Sequence, residues 1–352
     1  MCNTLNFYVG MIYMTKIRQI YLKKAGNKPI WDHRIQNGRA NALKHDEVRI
    51  KVHYSGLNFA DVMMKLGLYP DAPSTPYIPG YEVSGVVTEI GAGIEDLGIG
   101  QKICAGLAFG GYQSEVVLPR WQVVALPSHL SMKEGAGLIV SFITAYASFH
   151  QLARVKPSDR VFIDCATGAL GHLSLALLKS HGVEKIYGAT RSPEKLKFLR
   201  DQGIAAFTHQ QLREMKNPPL FDLILNSRGG QSLREDYQRL SPMGRMVCIG
   251  ASSFIGQGRK KIFSWNFLKN LWAMRGFSPV SLMNDNRAVM GLNALRLFDA
   301  PELLQESLKF LEQDEGVNMI PHIDKVFAAD ELELALDYLG QGHSRGKVLL
   351  KW

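Results

Sequence analysis

The stretch Arg160–Gly182, RVFIDCATGALGHLSLALLKSHG, sets two glycines, Gly168 and Gly171, between an apolar strand and an apolar helix. A turn of this kind can bind a dinucleotide, because free backbone N–H groups and the positive helix end face the pyrophosphate. Gly168 would let the backbone approach the phosphates, and Gly171 would let the helix pack on the strand. Cys165 stands where such turns have a further glycine. It is tolerable there only if the first bend avoids positive φ. A glycine pair alone is weak evidence; the alternation of strands and helices around it supplies the weight.

The choice between NAD and NADP falls at the end of the second strand. An NAD site places Asp or Glu about 20 residues after the turn, to hold the ribose 2′-OH. Here GATRSPEK offers Thr190, Arg191, Ser192 and Lys195, and Glu194 follows Pro193 inside the next helix. Hydroxyls and cations suit a 2′-phosphate, which a carboxylate would repel. The missing acid selects NADPH; the alternative is that Arg191 and Lys195 are ordinary solvated charges.

These residues need a sheet to hold them. From about Glu134, helices alternate with continuous apolar strands: GAGLIVSFITAYASFHQLA, RVFID, KIYGAT, PEKLKFLRDQG, AAFTH, FDLILNS, LREDYQRLS, GRMVCIGA and RAVMGLNAL. Continuous apolar strands imply a parallel sheet covered on both faces. From about Lys16 to Pro127 the signals are period-two strands such as EVRIKVHYSGLN, then YEVSGVVTEIGAGI and GGYQSEVVLP. One helix, NFADVMMKLG, interrupts them, opened by Asn58 as N-cap and closed by Gly67. That half predicts a small all-β barrel or sandwich, and the tail, ending GKVLLKW, returns a strand to it. The expected plan is α/β: a doubly wound domain, residues 136–298, inserted into a β domain made of 14–135 and 299–352, after an extension, 1–13.

The 352 residues, 46% apolar and 21% charged, are enough for two cores. Four scattered cysteines, Cys2, Cys104, Cys165 and Cys248, form no Cys-x-x-Cys pair, which suits a reducing compartment, expected to be the cytoplasm. No apolar run reaches the 18 or so residues of a membrane span. The opening MCNTLNFYVGMIYM lacks the basic start and cleavage site of a signal peptide. The net charge of +9 has no dense basic block behind it, so it predicts non-specific attraction of phosphate-bearing ligands rather than specific nucleic-acid binding. The segment GRKKIFSWNFLKNLW, 258–272, mixes cations with Phe263, Trp265, Phe267 and Trp272. The expected role is cover for the active-site cleft or a dimer contact; a membrane-surface helix or a nucleic-acid patch is the alternative.

The motifs LNFADVMMKLGLYP, ITAY, NDNRAVMGLNALRL and PHIDKVF…GKVLL resemble, in order, those of the zinc-independent quinone oxidoreductases of the medium-chain dehydrogenase/reductase superfamily. Within this zeta-crystallin-like family they look most like the vesicle amine transport protein branch, over Lys16 to Trp352. The resemblance implies a Rossmann domain inserted into a GroES-like β-barrel catalytic domain, NADPH as cofactor and a homodimer formed through the cofactor domain's edge strand. Zinc-dependent relatives have Cys at Asn58 and Gly-His-Glu at Gly80-Tyr81-Glu82, so the sulfur and imidazole of a catalytic zinc site are missing here. Glu82 is then a structural hydrogen-bonding carboxylate.

The carry-over, residue by residue, puts Asn58 at the nicotinamide or a substrate oxygen, in addition to its N-cap role, and Thr144 beside the nicotinamide. Gly168, Ala169 and Leu170 would meet the pyrophosphate, Thr190, Arg191 and Lys195 the 2′-phosphate end, and His209 the adenosine. Asn226, Ser227, Ile249 and Gly250 fall at carboxyl ends of later strands, and Lys347 would reach the cofactor from the other domain. Tyr69 matches a catalytic tyrosine of related enoyl-thioester reductases; its alternative is a packing aromatic at the cleft lip. Arg228 replaces a usual apolar residue and would change the shape or charge of the cofactor cleft.

Without a Lewis acid, quinones and α,β-unsaturated carbonyls are the natural hydride acceptors, since their charge delocalises onto an oxygen that needs only hydrogen-bond donors. The expectation is an NADPH-dependent quinone or enone reductase, with Tyr69 and Asn58 catalytic. An enoyl-thioester reductase is one alternative, and a non-catalytic NADPH-responsive protein that meets RNA or a membrane surface is the other.

Overall fold

The computed structural model describes residues 15–38, 42–255, 269–270, 272–273, 277–312 and 318–352. The extension 1–13 and most of the segment 258–272 lie outside the described residues.

The β half begins with an antiparallel ribbon of β1 (Thr15–Lys24) and β2 (Ile30–Gly38). Next come β3 (Glu47–Leu57), helix α1 (Phe59–Lys65), β4 (Glu82–Ile90), β5 (Lys102–Gly106), β6 (Glu115–Pro119) and β7 (Val123–Ala125). The alternate residues Val48, Ile50 and Val52 of β3 turn into one core with Val83, Val87, Ile103 and Val116, as the two-residue strand period requires. The tail supplies β14 (Ile323–Ala328) and β15 (Lys347–Lys351), giving a seven-stranded sheet in the order β14-β15-β3-β4-β5-β7, with β6 paired to β3. The last strand runs antiparallel to β3, so the chain's end closes the half that its beginning opened.

Helix α2 (Met132–Tyr146) leads into the second half. Ser131 and Glu134 cap it reciprocally: the Glu134 N–H donates to Ser131 Oγ at 3.3 Å, and the Ser131 N–H to Glu134 Oε2 at 2.6 Å. The helix is apolar almost all round because it is buried at the junction, between β3, β4 and β5 on one side and α3 (Ala169–Ser180) on the other. It runs on into a π-helical turn, Ala147–Leu152.

Six parallel strands follow: β8 (Arg160–Ile163), β9 (Lys185–Thr190), β10 (Ala205–Thr208), β11 (Phe221–Asn226), β12 (Leu240–Cys248) and β13 (Ala288–Gly291). Their order, β10-β9-β8-β11-β12-β13, reverses direction between β8 and β11, which is the switch point where such sheets bind ligands. The continuous apolar run of β8 has a direct cause. Val161 and Ile163 face the core shared with α2 and α3, whereas Phe162 faces the other way and stacks on Phe221 at 4.8 Å. Helix α4 (Leu196–Arg200) is shorter than the stretch PEKLKFLRDQG, because Pro193–Lys195 forms a 3₁₀ turn. Helices α5 (His209–Glu214) and α6 (Gln231–Gln238) complete the windings described for this half. The helix Pro301–Glu312, beyond residue 298, sends Leu304, Leu308, Phe310 and Leu311 into the core of this second half.

Candidate functional site

The glycine turn joins β8 to α3, with Gly168 at the N-cap and no side-chain cap bond. The first backbone N–H groups of α3 therefore have neither an intrahelical nor a capping side-chain partner, which is the arrangement that receives an anion. A Cβ on Gly171 would lie 2.3 Å from the Ala166 carbonyl oxygen, so only glycine lets α3 pack this closely on the turn. A Cβ on Gly168 would meet only the Cys165 carbonyl, at 3.5 Å, so no tight packing within the chain demands glycine there. The turn also bridges to the β half, Gly168 pairing with Gly346.

Cys165 departs from expectation. Its φ is +58°, so the first bend does enter the left-handed region, and a side chain is carried there all the same. Left-handed backbone costs an L-residue about 1–2 kcal/mol. The neighbouring bonds hold it: Ala166 N–H donates to the Ala189 carbonyl at 2.9 Å, and Gly168 N–H to the Cys165 carbonyl at 3.1 Å. Cys165→Gly is expected to leave stability unchanged or raise it by up to about 1 kcal/mol, relief of strain being partly offset by unfolded-state entropy. Cys165→Val is expected to destabilise, a β-branched residue being least suited to this φ. Urea unfolding of the two variants decides it, and equal midpoints would mean that the bend is not strained.

Beside Cys165, the fully buried Asp164 carboxylate accepts from His209 Nε2 at 2.6 Å and from Arg228 Nε at 2.7 Å. Burial by itself would raise the Asp164 pKa; the Arg228 charge and the His209 bond outweigh it and hold it below the usual carboxylate range. Burial also pushes the Cys165 thiol up to about 12. Ligand atoms of Asp164, Cys165 and His209 lie within 4.8 Å of one another, but both carboxylate oxygens are taken and the thiol keeps its proton.

Around the turn, the carried-over positions divide. Thr190 is buried at the end of β9, and Arg191 beyond it is exposed, close to Gly342 of the β half. Lys195 faces away from solvent: its ammonium donates to the carbonyls of Gly342 at 2.9 Å and Ser344 at 2.7 Å, and burial lowers its pKa. Asn226 is wholly buried. It donates to Ser232 Oγ and Asp236 Oδ2 and accepts from Gly229 N–H, so its side chain serves the strand end itself. Ser227 Oγ lies 3.4 Å from the Asp164 carbonyl. Ile249 N–H is bonded to the Asn226 carbonyl, which ties the ends of β11 and β12, and Gly250 follows. Thr144 donates to the Val140 carbonyl of its own helix at 2.6 Å. Ala169 and Leu170 form the first turn of α3.

Across the junction, the second cluster is built on β15, β4 and the start of α1. Lys347 and Glu82, 1% and 0% exposed, form a buried ion pair. Lys347 Nζ also donates to Asn58 Oδ1 at 2.7 Å, Asn58 Nδ2 donates to Glu82 Oε1 at 3.0 Å, and Val140 N–H donates to Glu82 Oε2 at 3.0 Å. Asn58 sits at the N-cap of α1, yet its side chain makes no cap bond; the Asp61 carboxylate takes the Asn58 N–H at 2.7 Å instead. The carboxamide is thus fixed by a cation on its oxygen and an anion on its nitrogen. Lys347 ends on this cluster, not in an open cleft. A zinc ion is a poor fit here, since Glu82 is already committed to three donors and Asn58 and Tyr81 offer neither thiolate nor imidazole.

Tyr69 stands nearby, its hydroxyl donating to Asn293 Oδ1 at 3.3 Å and its ring edge-on to Tyr81 at 6.4 Å. Tyr81 packs on Phe109 at 5.4 Å and Phe109 on Tyr77 at 5.8 Å, which makes an aromatic wall. Burial raises the Tyr69 pKa, so the phenol keeps its proton. The sequence reading missed Asp164, Tyr77 and Phe109. Nothing local marks them: an acid after an apolar strand and aromatics near a Gly-Gly turn are common.

The alcohol dehydrogenase GroES-like domain matches residues 44–128, and the zinc-binding dehydrogenase family matches residues 200–350. The synaptic vesicle membrane protein VAT-1 homolog of Danio rerio is 28% identical over 316 residues, covering 88% of this chain but only 65% of that protein's length. The quinone oxidoreductase-like protein 2 homolog of Nematostella vectensis is 30% identical over 319 residues, 88% of this chain and 82% of that protein. Among solved structures, the quinone oxidoreductase of Thermus thermophilus, studied also in complex with NADPH, is 28% identical and superposes with a TM-score of 0.75, over 95% of this chain and 100% of that one.

Proposed function

The chain belongs to the medium-chain dehydrogenase/reductase superfamily, among its quinone oxidoreductase-like and VAT-1-like members, and we propose that it is an NADPH-dependent, zinc-independent reductase of quinones or other α,β-unsaturated carbonyl compounds. The observation that carries this reading is the link between the two clusters. Gly346, paired with the cofactor turn at Gly168, is followed directly by Lys347, which fixes Asn58. Bound at the turn, NADPH supplies hydride to an electron-poor carbon. The chain's part is to place and polarise the acceptor. The open N-terminus of α3 receives the diphosphate, and the exposed Arg191 receives the 2′-phosphate. Asn58, its oxygen held by Lys347, keeps its second amide proton for a substrate oxygen. The Tyr69 hydroxyl holds the proton that must follow the hydride. The wall of Tyr69, Tyr81, Phe109 and Tyr77 suits a flat, conjugated acceptor and keeps water away from it.

A homodimer through the edge strand β13 goes with this reading, since Met243, Val280 and Met283 stand 79%, 65% and 73% exposed on the described surface. Among the described residues no helix is long and apolar enough to cross a membrane. A cytoplasmic location goes with the three described cysteines, Cys104, Cys165 and Cys248, which are free thiols.

The test is loss of reduced-nicotinamide absorbance with a naphthoquinone, a simple enone and a crotonyl thioester offered in parallel, NADH serving as control. Turnover of the quinone or enone with NADPH, and about tenfold less with NADH, is the expected result. Turnover of the thioester alone would replace the reading by an enoyl-thioester reductase. Tight NADPH binding with no acceptor reduced would replace it by a cofactor-responsive binding protein.

A further inference from the structure

Arg228 is a cation that the reaction as described does not use. It follows β11 at the switch point, with its side chain 18% exposed, and its Nε is committed to the buried Asp164 at 2.7 Å. Its two terminal nitrogens have no hydrogen-bond partner among the described residues, and they are not among the buried unpartnered atoms. The guanidinium is therefore clamped at its inner edge and open at its outer one. Asp164 holds His209, from the end of β10, with its other oxygen, so the three side chains form a row along the carboxyl ends of β10, β8 and β11. The end of β9, where an adenosine ribose is held in such sheets, lies within that row.

We propose that Arg228 stacks its guanidinium plane on the adenine base of the dinucleotide and that Asp164 is the positioning residue that sets the plane. The proposal rests on the dinucleotide reading above. Two features favour a base over a phosphate as the partner. The Arg228 charge is already offset at 2.7 Å by a buried carboxylate, which leaves its flat face as the recognising feature. The phosphates, in turn, have the open N-terminus of α3 and the exposed Arg191. A guanidinium locked by an inner salt bridge loses little freedom on stacking.

Isothermal titration of the full chain with NADPH, adenosine 2′,5′-bisphosphate and reduced nicotinamide mononucleotide tests this. Arg228→Leu and Arg228→Lys should each weaken NADPH and the bisphosphate about tenfold and leave the mononucleotide unchanged, because lysine keeps the charge but not the plane. Wild-type affinity in Arg228→Lys would mean that a phosphate takes the charge, and would overturn stacking. Unchanged affinity in Arg228→Leu, or equal weakening of the mononucleotide, would overturn it too. If the unaltered chain binds neither adenine-bearing ligand, the dinucleotide reading itself fails, and this inference with it. Should Arg228→Leu not fold with Asp164 left short of a partner, the double variant Arg228→Leu, Asp164→Asn removes both charges together. It should show the same tenfold loss, and wild-type affinity there would overturn the proposal.

Discussion

Glu82→Ala lowers the stability of the chain by about 3–5 kcal/mol, the range found when one partner of a buried ion pair is removed. Lys347 is 1% exposed, and without Glu82 its ammonium keeps, among the described residues, only the Asn58 carboxamide oxygen. That contact cannot compensate a full charge out of water. The same change removes the carboxylate that Asn58 Nδ2 and the Val140 N–H both donate to. The double variant Glu82→Ala, Lys347→Met should recover most of the loss, since a neutral side chain of similar length carries no charge to bury. Urea unfolding of Glu82→Ala, Lys347→Met and the double closes the cycle, and the coupling is expected to exceed about 2 kcal/mol. Additive effects would show that the pair is not a unit and that Asn58 is held by something else.

The parallel sheet was legible because its cause is local. A strand buried on both faces must be apolar at every position, and β8, β11 and β12 all announce themselves that way. Gly171 was legible for a similar reason, since close helix–strand packing needs a residue without a Cβ. The cap of α2 was present in the sequence as Ser131 and Glu134, although the helix was expected to start at about Glu134. What the sequence does not carry is pairing across the fold. Lys347 and Glu82 come from the last strand and from β4, and nothing near either residue names the other. Lys195 shows the same limit. Its type and place suit a 2′-phosphate, and nothing local shows that two of its three donors go to carbonyls of the other half. Cys165 failed for another reason: side-chain type bounds φ only by a modest energy, which the bonds of Ala166 and Gly168 can hold.

Tyr69→Phe should separate the two substrate classes. With an enone, the carbon next to the carbonyl must receive a proton after hydride arrives, and a placed acid accelerates such a step about 10²–10⁴-fold. With a quinone, the charge rests on oxygens that water can protonate, so the same change should slow turnover by less than about tenfold. The geometry supports the distinction. The Tyr69 hydroxyl donates to Asn293 Oδ1 at 3.3 Å, a long bond that a substrate can replace at little cost. Burial raises the phenol's pKa above its usual value near 10, so it stays a donor through neutral pH and loses that role only in strong alkali. Activity with the enone should accordingly hold level from about pH 7 to 9 and fall only in strong alkali. Measuring kcat for a naphthoquinone and an enone with both proteins gives the answer directly. Equal, small losses on the two acceptors would make Tyr69 a wall of the cleft, and the proton would then come from water.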